Sequence, residues 1–142
     1  MVFKLNISDK GKAWKVETDA NAIIGKSVGD KITGNEIKPE LEGYELEITG
    51  GSDSAGFPLS KDVDGIYLRK VLLTKGFGMK QAKPHGLRKR KTLRGKIISE
   101  VVTQINMIVV KHGGKKLHEL FPEQNQPKAV KTEQKAVAVP AA

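Results

Sequence analysis

The 142-residue sequence predicts a mainly β domain with one modest core, and three observations carry that prediction. Apolar and polar residues alternate with a period of two in Phe3-Leu5-Ile7, in Trp14 and Val16, and in Tyr44-Leu46-Ile48, the pattern of strands that bury one face. Glycine and proline recur too often between these segments for a long helix. Hydrophobic residues make up 38% of the chain, enough for one domain of this length and too many for a wholly disordered chain.

The elements follow in order. Asp9-Lys10-Gly11 is a turn signal that joins the first two strands into a hairpin. Between Asp19 and Glu42, Gly25, Gly29, Gly34 and Lys38-Pro39 break any sustained period, so short strands and turns are expected, with Ile23, Ile24, Val28 and Ile32 reaching the core. The apolar run Ile66 to Leu73 reads as a strand that ends at Thr74-Lys75-Gly76. In the stretch 97–110, the residues Ile97, Ile98, Val101, Val102, Ile105, Ile108 and Val109 fit a helical face. The density of β-branched side chains, and the glycines at 95, 113 and 114, instead predict two strands joined by a turn near Thr103 to Asn106. Leu117 to Phe121 predicts one helical turn before Pro122. Residues 122–142 hold no aromatic residue and too little apolar surface to offset their ordering entropy, so they are expected to form a flexible tail behind a domain spanning 1–121.

Several chemistries are excluded by composition. With no cysteine there is no disulfide, thiolate zinc site or cysteine nucleophile. Met1 to Ser8 lacks the apolar core of a secretory signal, and no apolar run approaches the roughly 20 residues of a membrane helix, so a soluble intracellular protein with no membrane partner is expected. His85, His112 and His118 stand in no arrangement with serine or acids that suggests catalysis, and only Glu119 lies near them in sequence, so no metal site and no enzyme are expected. The loop Gly50-Gly51-Ser52-Asp53-Ser54-Ala55-Gly56 could in principle cradle a phosphate. A P-loop, however, needs Gly-Lys-Ser/Thr opening a helix, and here Phe57-Pro58 follows. A structural turn is the better reading, with Gly50, Gly51 and Gly56 allowing positive φ, Asp53 accepting backbone N–H groups and Pro58 closing the turn.

The charge is concentrated. The chain carries a formal +9, yet residues 1–68 hold 8 basic and 12 acidic side chains while residues 69–121 hold 14 and 2. From Gly65 to Ser99 there is no acid, and eleven cations occur: Arg69, Lys70, Lys75, Lys80, Lys83, Arg88, Lys89, Arg90, Lys91, Arg94 and Lys96. All four arginines of the chain fall here, and a guanidinium can offer phosphate two parallel donors. A run of cations without local counter-charge repels itself, and an external polyanion relieves that repulsion with release of its counterions. Lys83 to Arg94 has no apolar helical stripe that could enter a bilayer, which favours nucleic acid over a membrane surface, with a solvated basic loop that has no partner as the bland alternative. Aromatic residues number only 7, with Phe77 inside the segment 69–96, so backbone and shape recognition of folded RNA is favoured over a base-stacking platform.

Two segments together resemble a known family. Ile48-Thr49-Gly50-Gly51-Ser52-Asp53-Ser54-Ala55-Gly56-Phe57-Pro58 is similar to the signature of small-subunit ribosomal protein S-six of the archaeal and eukaryotic type, with Leu59 where methionine is usual. Arg88-Lys89-Arg90-Lys91 with Arg94-Gly95 resembles that family's basic block, and Phe3 to Ser8 and Met107 to Lys111 match in kind and order. The resemblance spans about residues 2–114 and implies a small closed or partly open β-barrel with a basic loop, a structural constituent of the small ribosomal subunit located in the cytoplasm. It implies ribosomal RNA and neighbouring small-subunit proteins as partners, and no cofactor, small-molecule substrate or homo-oligomer. Eukaryotic members carry a long basic C-terminal helix with phosphorylated serines. This sequence stops at Ala142 and its last serine is Ser99, which points to the short archaeal form. The competing readings are a small-barrel DNA-binding regulator that uses the same basic patch, and an enzyme that uses Asp53 on a phosphorylated substrate.

Overall fold

The computed structural model describes residues 2–19, 21–81 and 83–125. Its strands are β1 (Phe3–Asp9), β2 (Lys12–Thr18), β3 (Lys31–Thr33), β4 (Glu45–Asp53), β5 (Leu68–Leu73), β6 (Lys89–Arg94) and β7 (Val102–Lys111), with one-turn helices α1 (Gly34–Ile37) and α2 (Leu117–Leu120). The mainly β prediction therefore holds. β1 and β2 form the expected antiparallel hairpin, turning on Lys10 and Gly11, both at positive φ.

Five strands form one mixed sheet in the order β2-β1-β7-β4-β3, in which β7 runs parallel to β1 and antiparallel to β4. The alternation read in the sequence becomes the core face. Phe3, Leu5 and Ile7 of β1, Trp14 and Val16 of β2, Leu46 and Ile48 of β4 and Ile105 and Met107 of β7 are buried together, while Lys4, Lys15 and Thr49 face out. Each fully buried aliphatic side chain of this set contributes about 1.5–3 kcal/mol relative to exposure. The segment between β2 and β4 folds over this face in short pieces, as expected. Ile23, Val28, Ile32, Ile37 and Leu41 are buried there, and the Thr18 hydroxyl donates to the Ile37 carbonyl at 3.0 Å.

Three expectations change. Of the closed or partly open barrel expected, the closed form is not found: the five-stranded sheet stays open, because its ends are β3, only three residues long, and β2, and these two do not pair. The stretch 97–110 is not two strands with a turn at Thr103 to Asn106. β7 crosses that region as one strand, and only the segment before Val102 is irregular. The apparent break is a bulge: Asp53 pairs with Val102 and Ser52 with Gln104, which leaves Thr103 without a partner and inverts the alternation there. The basic segment is not simply a loop either, since Lys89–Arg94 forms β6 and pairs antiparallel with β5 in a separate two-stranded sheet.

The one-turn helix after Lys116 forms as expected, with Leu117 buried. The first residues of the expected tail are docked: Gln124 pairs its side-chain amide with the Lys15 N–H and C=O at 2.7 and 2.9 Å, and Asn125 donates to the Ala13 carbonyl at 2.7 Å. These contacts occupy the outer edge of β2, where a further strand would otherwise add. The rest of the expected tail lies outside the described residues.

Candidate nucleic-acid interface

The basic hairpin is tied to the main sheet through the glycine motif. The segment Phe57–Ser60 lies between β4 and β6. Leu59 N–H donates to the Gly51 carbonyl at 2.9 Å on one side, and on the other Arg94 N–H donates to Pro58 and Ser60 N–H to Arg94, both at 3.0 Å. Gly51 lies inside β4, where a Cβ would stand 2.4 Å from the Gln104 carbonyl oxygen of β7, so the backbones approach too closely for any side chain. This replaces the expected positive φ at Gly50 and Gly51, which both belong to the strand; Gly56 does turn with φ +91°.

Asp53 ends β4 with a fully buried side chain. It accepts the Phe57 N–H at 2.8 Å, the backbone contact anticipated from the motif. Its second oxygen accepts the Arg94 Nε–H at 2.7 Å, and Arg94 Nη1 donates to the Ile66 carbonyl at 2.9 Å. Burial by itself pushes the Asp53 carboxyl up, but the Arg94 hydrogen bond and charge, with the Phe57 and Ala55 N–H groups, hold it below the usual carboxylate range. Arg94, whose side chain is 12% exposed, is thus committed to the fold rather than presented to solvent. Lys96 is also engaged, pairing with the exposed Asp64 at 3.0 Å, and this contact lowers the Asp64 carboxyl.

The other candidate cations differ. Arg69, Lys70, Lys75, Lys80, Lys83, Arg88, Lys89 and Arg90 are exposed and Lys91 is half-buried. None of these nine forms an ion pair among the described residues. Lys89 does donate to the exposed Gln81 amide at 2.8 Å. The register explains the missing counter-charge, because Lys89, Arg90 and Lys91 stand opposite Leu73, Leu72 and Val71. Paired residues of an antiparallel ladder project to the same face, so Lys70 and Arg90 lie on one face while Arg69, Lys89 and Lys91 lie on the other. Cations therefore project from both faces of the ribbon. Leu93, buried, anchors it at its base.

Gly95 allows the base to close, since a Cβ there would meet the Gly65 carbonyl oxygen at 1.9 Å. What the sequence reading did not foresee is the exposure of apolar residues among the cations: Tyr67, Leu72 and Phe77 are 74%, 54% and 60% exposed. The apolar run at β5 signals a strand, but not that the strand joins a ribbon with one face left uncovered. Of the histidines, His85 is exposed, His112 Nδ1 lies 3.7 Å from Asp9 and His118 Nε2 lies 3.9 Å from Glu119. No cluster of His, Asp and Glu among the described residues could hold a metal ion, and no described helix is long and apolar enough to cross a membrane.

The chain is similar to known proteins over most of its length. The family model described as ribosomal protein S6e matches residues 3–122. A small ribosomal subunit protein eS6 of Methanococcus maripaludis is 49% identical over 115 residues, covering 80% of this chain and 90% of that protein. Proteins of the same name from Archaeoglobus fulgidus and Halobacterium salinarum are 44% and 42% identical, covering 89% and 84% of this chain and 100% and 92% of their own lengths. A family model that spans nearly the whole described chain, with both the glycine motif and the basic hairpin inside it, assigns this chain to the ribosomal protein S6e family.

Proposed function

We propose that this chain is a structural, non-enzymatic constituent of the small ribosomal subunit in the cytoplasm, and that its β5–β6 hairpin grips ribosomal RNA phosphates in support of translation. The observation that carries the proposal is the set of nine cations on the hairpin and its connecting loop that form no ion pair among the described residues. Arg69, Arg88 and Arg90 offer forked contacts to phosphate oxygens, and Lys70, Lys75, Lys80, Lys83, Lys89 and Lys91 act as point charges. Arg94 holds the hairpin in place instead, and Lys96 contributes only when RNA displaces Asp64. Neighbouring small-subunit proteins complete the environment.

If about half of the nine cations touch phosphate, log affinity falls with log salt at a slope of roughly −4. A salt titration of binding to a small-subunit rRNA transcript reads that slope, and a value near zero refutes the phosphate grip. A ribbon with cations on both faces also suits duplex DNA, so competition between the transcript and a DNA duplex separates the two readings. Equal affinity for both would favour a DNA-binding role.

A further inference from the structure

A second cationic site lies at the other end of the main sheet. β4 runs from Glu45 to Asp53, so its Tyr44 end stands roughly 25 Å from the base of the basic hairpin. There the β1–β2 turn, Tyr44 and the chain after β7 line an open cavity of about 450 Å³. Lys10, Lys12, Lys116, His112 and His118 line it, together with Trp14 and one carboxylate, Asp9. The nearby carboxylates are turned to the imidazoles, Asp9 to His112 at 3.7 Å and Glu119 to His118 at 3.9 Å. Lys10, Lys12 and Lys116 form no ion pair among the described residues.

The backbone adds donors. Gly113 and Gly114 also line the cavity, and their N–H groups donate to no acceptor among the described residues. Gly113 has to be glycine, since a Cβ there would meet the Glu42 carbonyl oxygen at 2.5 Å and the Tyr44 ring at 2.7 Å; Gly114 faces open space. The indole N–H of Trp14 is buried without an acceptor among the described residues, an unusual state for a buried tryptophan. Three ammonium groups without ion pairs and the backbone N–H groups of Gly113 and Gly114 around one concavity are the chemistry of a phosphate site, while the Trp14 indole N–H, fully buried beneath it, is the reporter of the cavity rather than one of its donors.

We propose that this cavity binds a phosphodiester group of an RNA segment distinct from the one on the hairpin, so that the protein bridges two stretches of RNA. The inference rests on the rRNA-binding reading above. Trp14 is the single tryptophan of the chain, so its emission reports the cavity directly. The experiment titrates the full chain with inorganic phosphate and, separately, with a labelled A-form RNA duplex, reading Trp14 emission and RNA anisotropy together. It is repeated on Lys10→Ala/Lys12→Ala/Lys116→Ala and on Arg88→Ala/Lys89→Ala/Arg90→Ala, with circular dichroism as the folding control.

RNA is expected to change Trp14 emission saturably. The cavity variant should lose that change and shift the salt slope by about 2 to 3 towards zero, while the hairpin variant keeps the change at higher RNA concentration. RNA binding that saturates with no emission change, or a folded cavity variant with an unaltered slope, overturns the cavity site and leaves the hairpin reading intact. A response to inorganic phosphate but not to RNA overturns the RNA assignment in favour of a free phosphate ligand. If the wild type binds no RNA, the rRNA reading fails and the bridging proposal falls with it.

Discussion

Replacing Asp53 with alanine should unfasten the basic hairpin from the sheet. The carboxylate is fully buried and accepts a 2.7 Å bond from Arg94 and a 2.8 Å bond from Phe57. A hydrogen bond to a charged group contributes about 1.5–3 kcal/mol, and a buried donor left unsatisfied costs about 1–3 kcal/mol. Loss of one partner of a buried pair typically costs about 3–5 kcal/mol in total, which is the expected destabilisation here. For a domain of this size that corresponds to a fall in Tm of roughly 10–20 °C. Urea unfolding followed by Trp14 emission measures it, and a cycle with Arg94→Ala and the double variant isolates the pair. The reasoning is refuted if Asp53→Ala stays within about 1 kcal/mol of wild type, or if the coupling between the two positions is under about 0.5 kcal/mol.

The remaining predictions test separate parts of the structure. Because the folded Asp53 carboxyl lies below its unfolded value, its contribution is present above about pH 4 and is lost as pH falls through the folded value. Wild type should therefore lose stability in that acid range, and Asp53→Asn should show a shallower acid limb in pH-dependent unfolding. Gly51→Val should abolish folding or leave an insoluble chain, since its Cβ would sit 2.4 Å from the Gln104 carbonyl oxygen, and soluble expression with a native melt would contradict that contact. The Arg88→Ala/Lys89→Ala/Arg90→Ala/Lys91→Ala variant should change stability by under about 0.5 kcal/mol per site and lower the RNA-binding salt slope, which melts and filter binding measure side by side. Lys96→Ala should leave the melt almost unchanged, because its partner Asp64 is 83% exposed and such pairs are screened.

Much of this fold is legible in the sequence because each signal is local. The alternation of Phe3, Leu5 and Ile7 specifies a strand with one buried face, Lys10-Gly11 specifies the turn after it, and glycines interrupt the segment 19–42 wherever it has to bend. The absence of acids from Gly65 to Ser99 is equally a property of the chain alone. The reading fails where a neighbouring strand sets the outcome. β7 looks like two strands because a bulge at Thr103, produced by its register with β4, reverses the alternation. Lys89–Arg94 looks like a loop because its strand is specified by β5 and not by its own apolar period.

The deepest difference concerns the four arginines. The sequence by itself determined that they lie in one acid-free segment, beside a glycine-aspartate motif, in a chain with no cysteine. It makes Arg88, Arg90 and Arg94 look equivalent. Tertiary structure alone decided that Arg94 turns to Asp53, 41 residues earlier, while Arg88 and Arg90 remain in solvent without acidic partners among the described residues. The physical reason is that burial of a carboxylate demands a partner, and only the packing of the Phe57–Ser60 segment between β4 and β6 brings that partner within 2.7 Å.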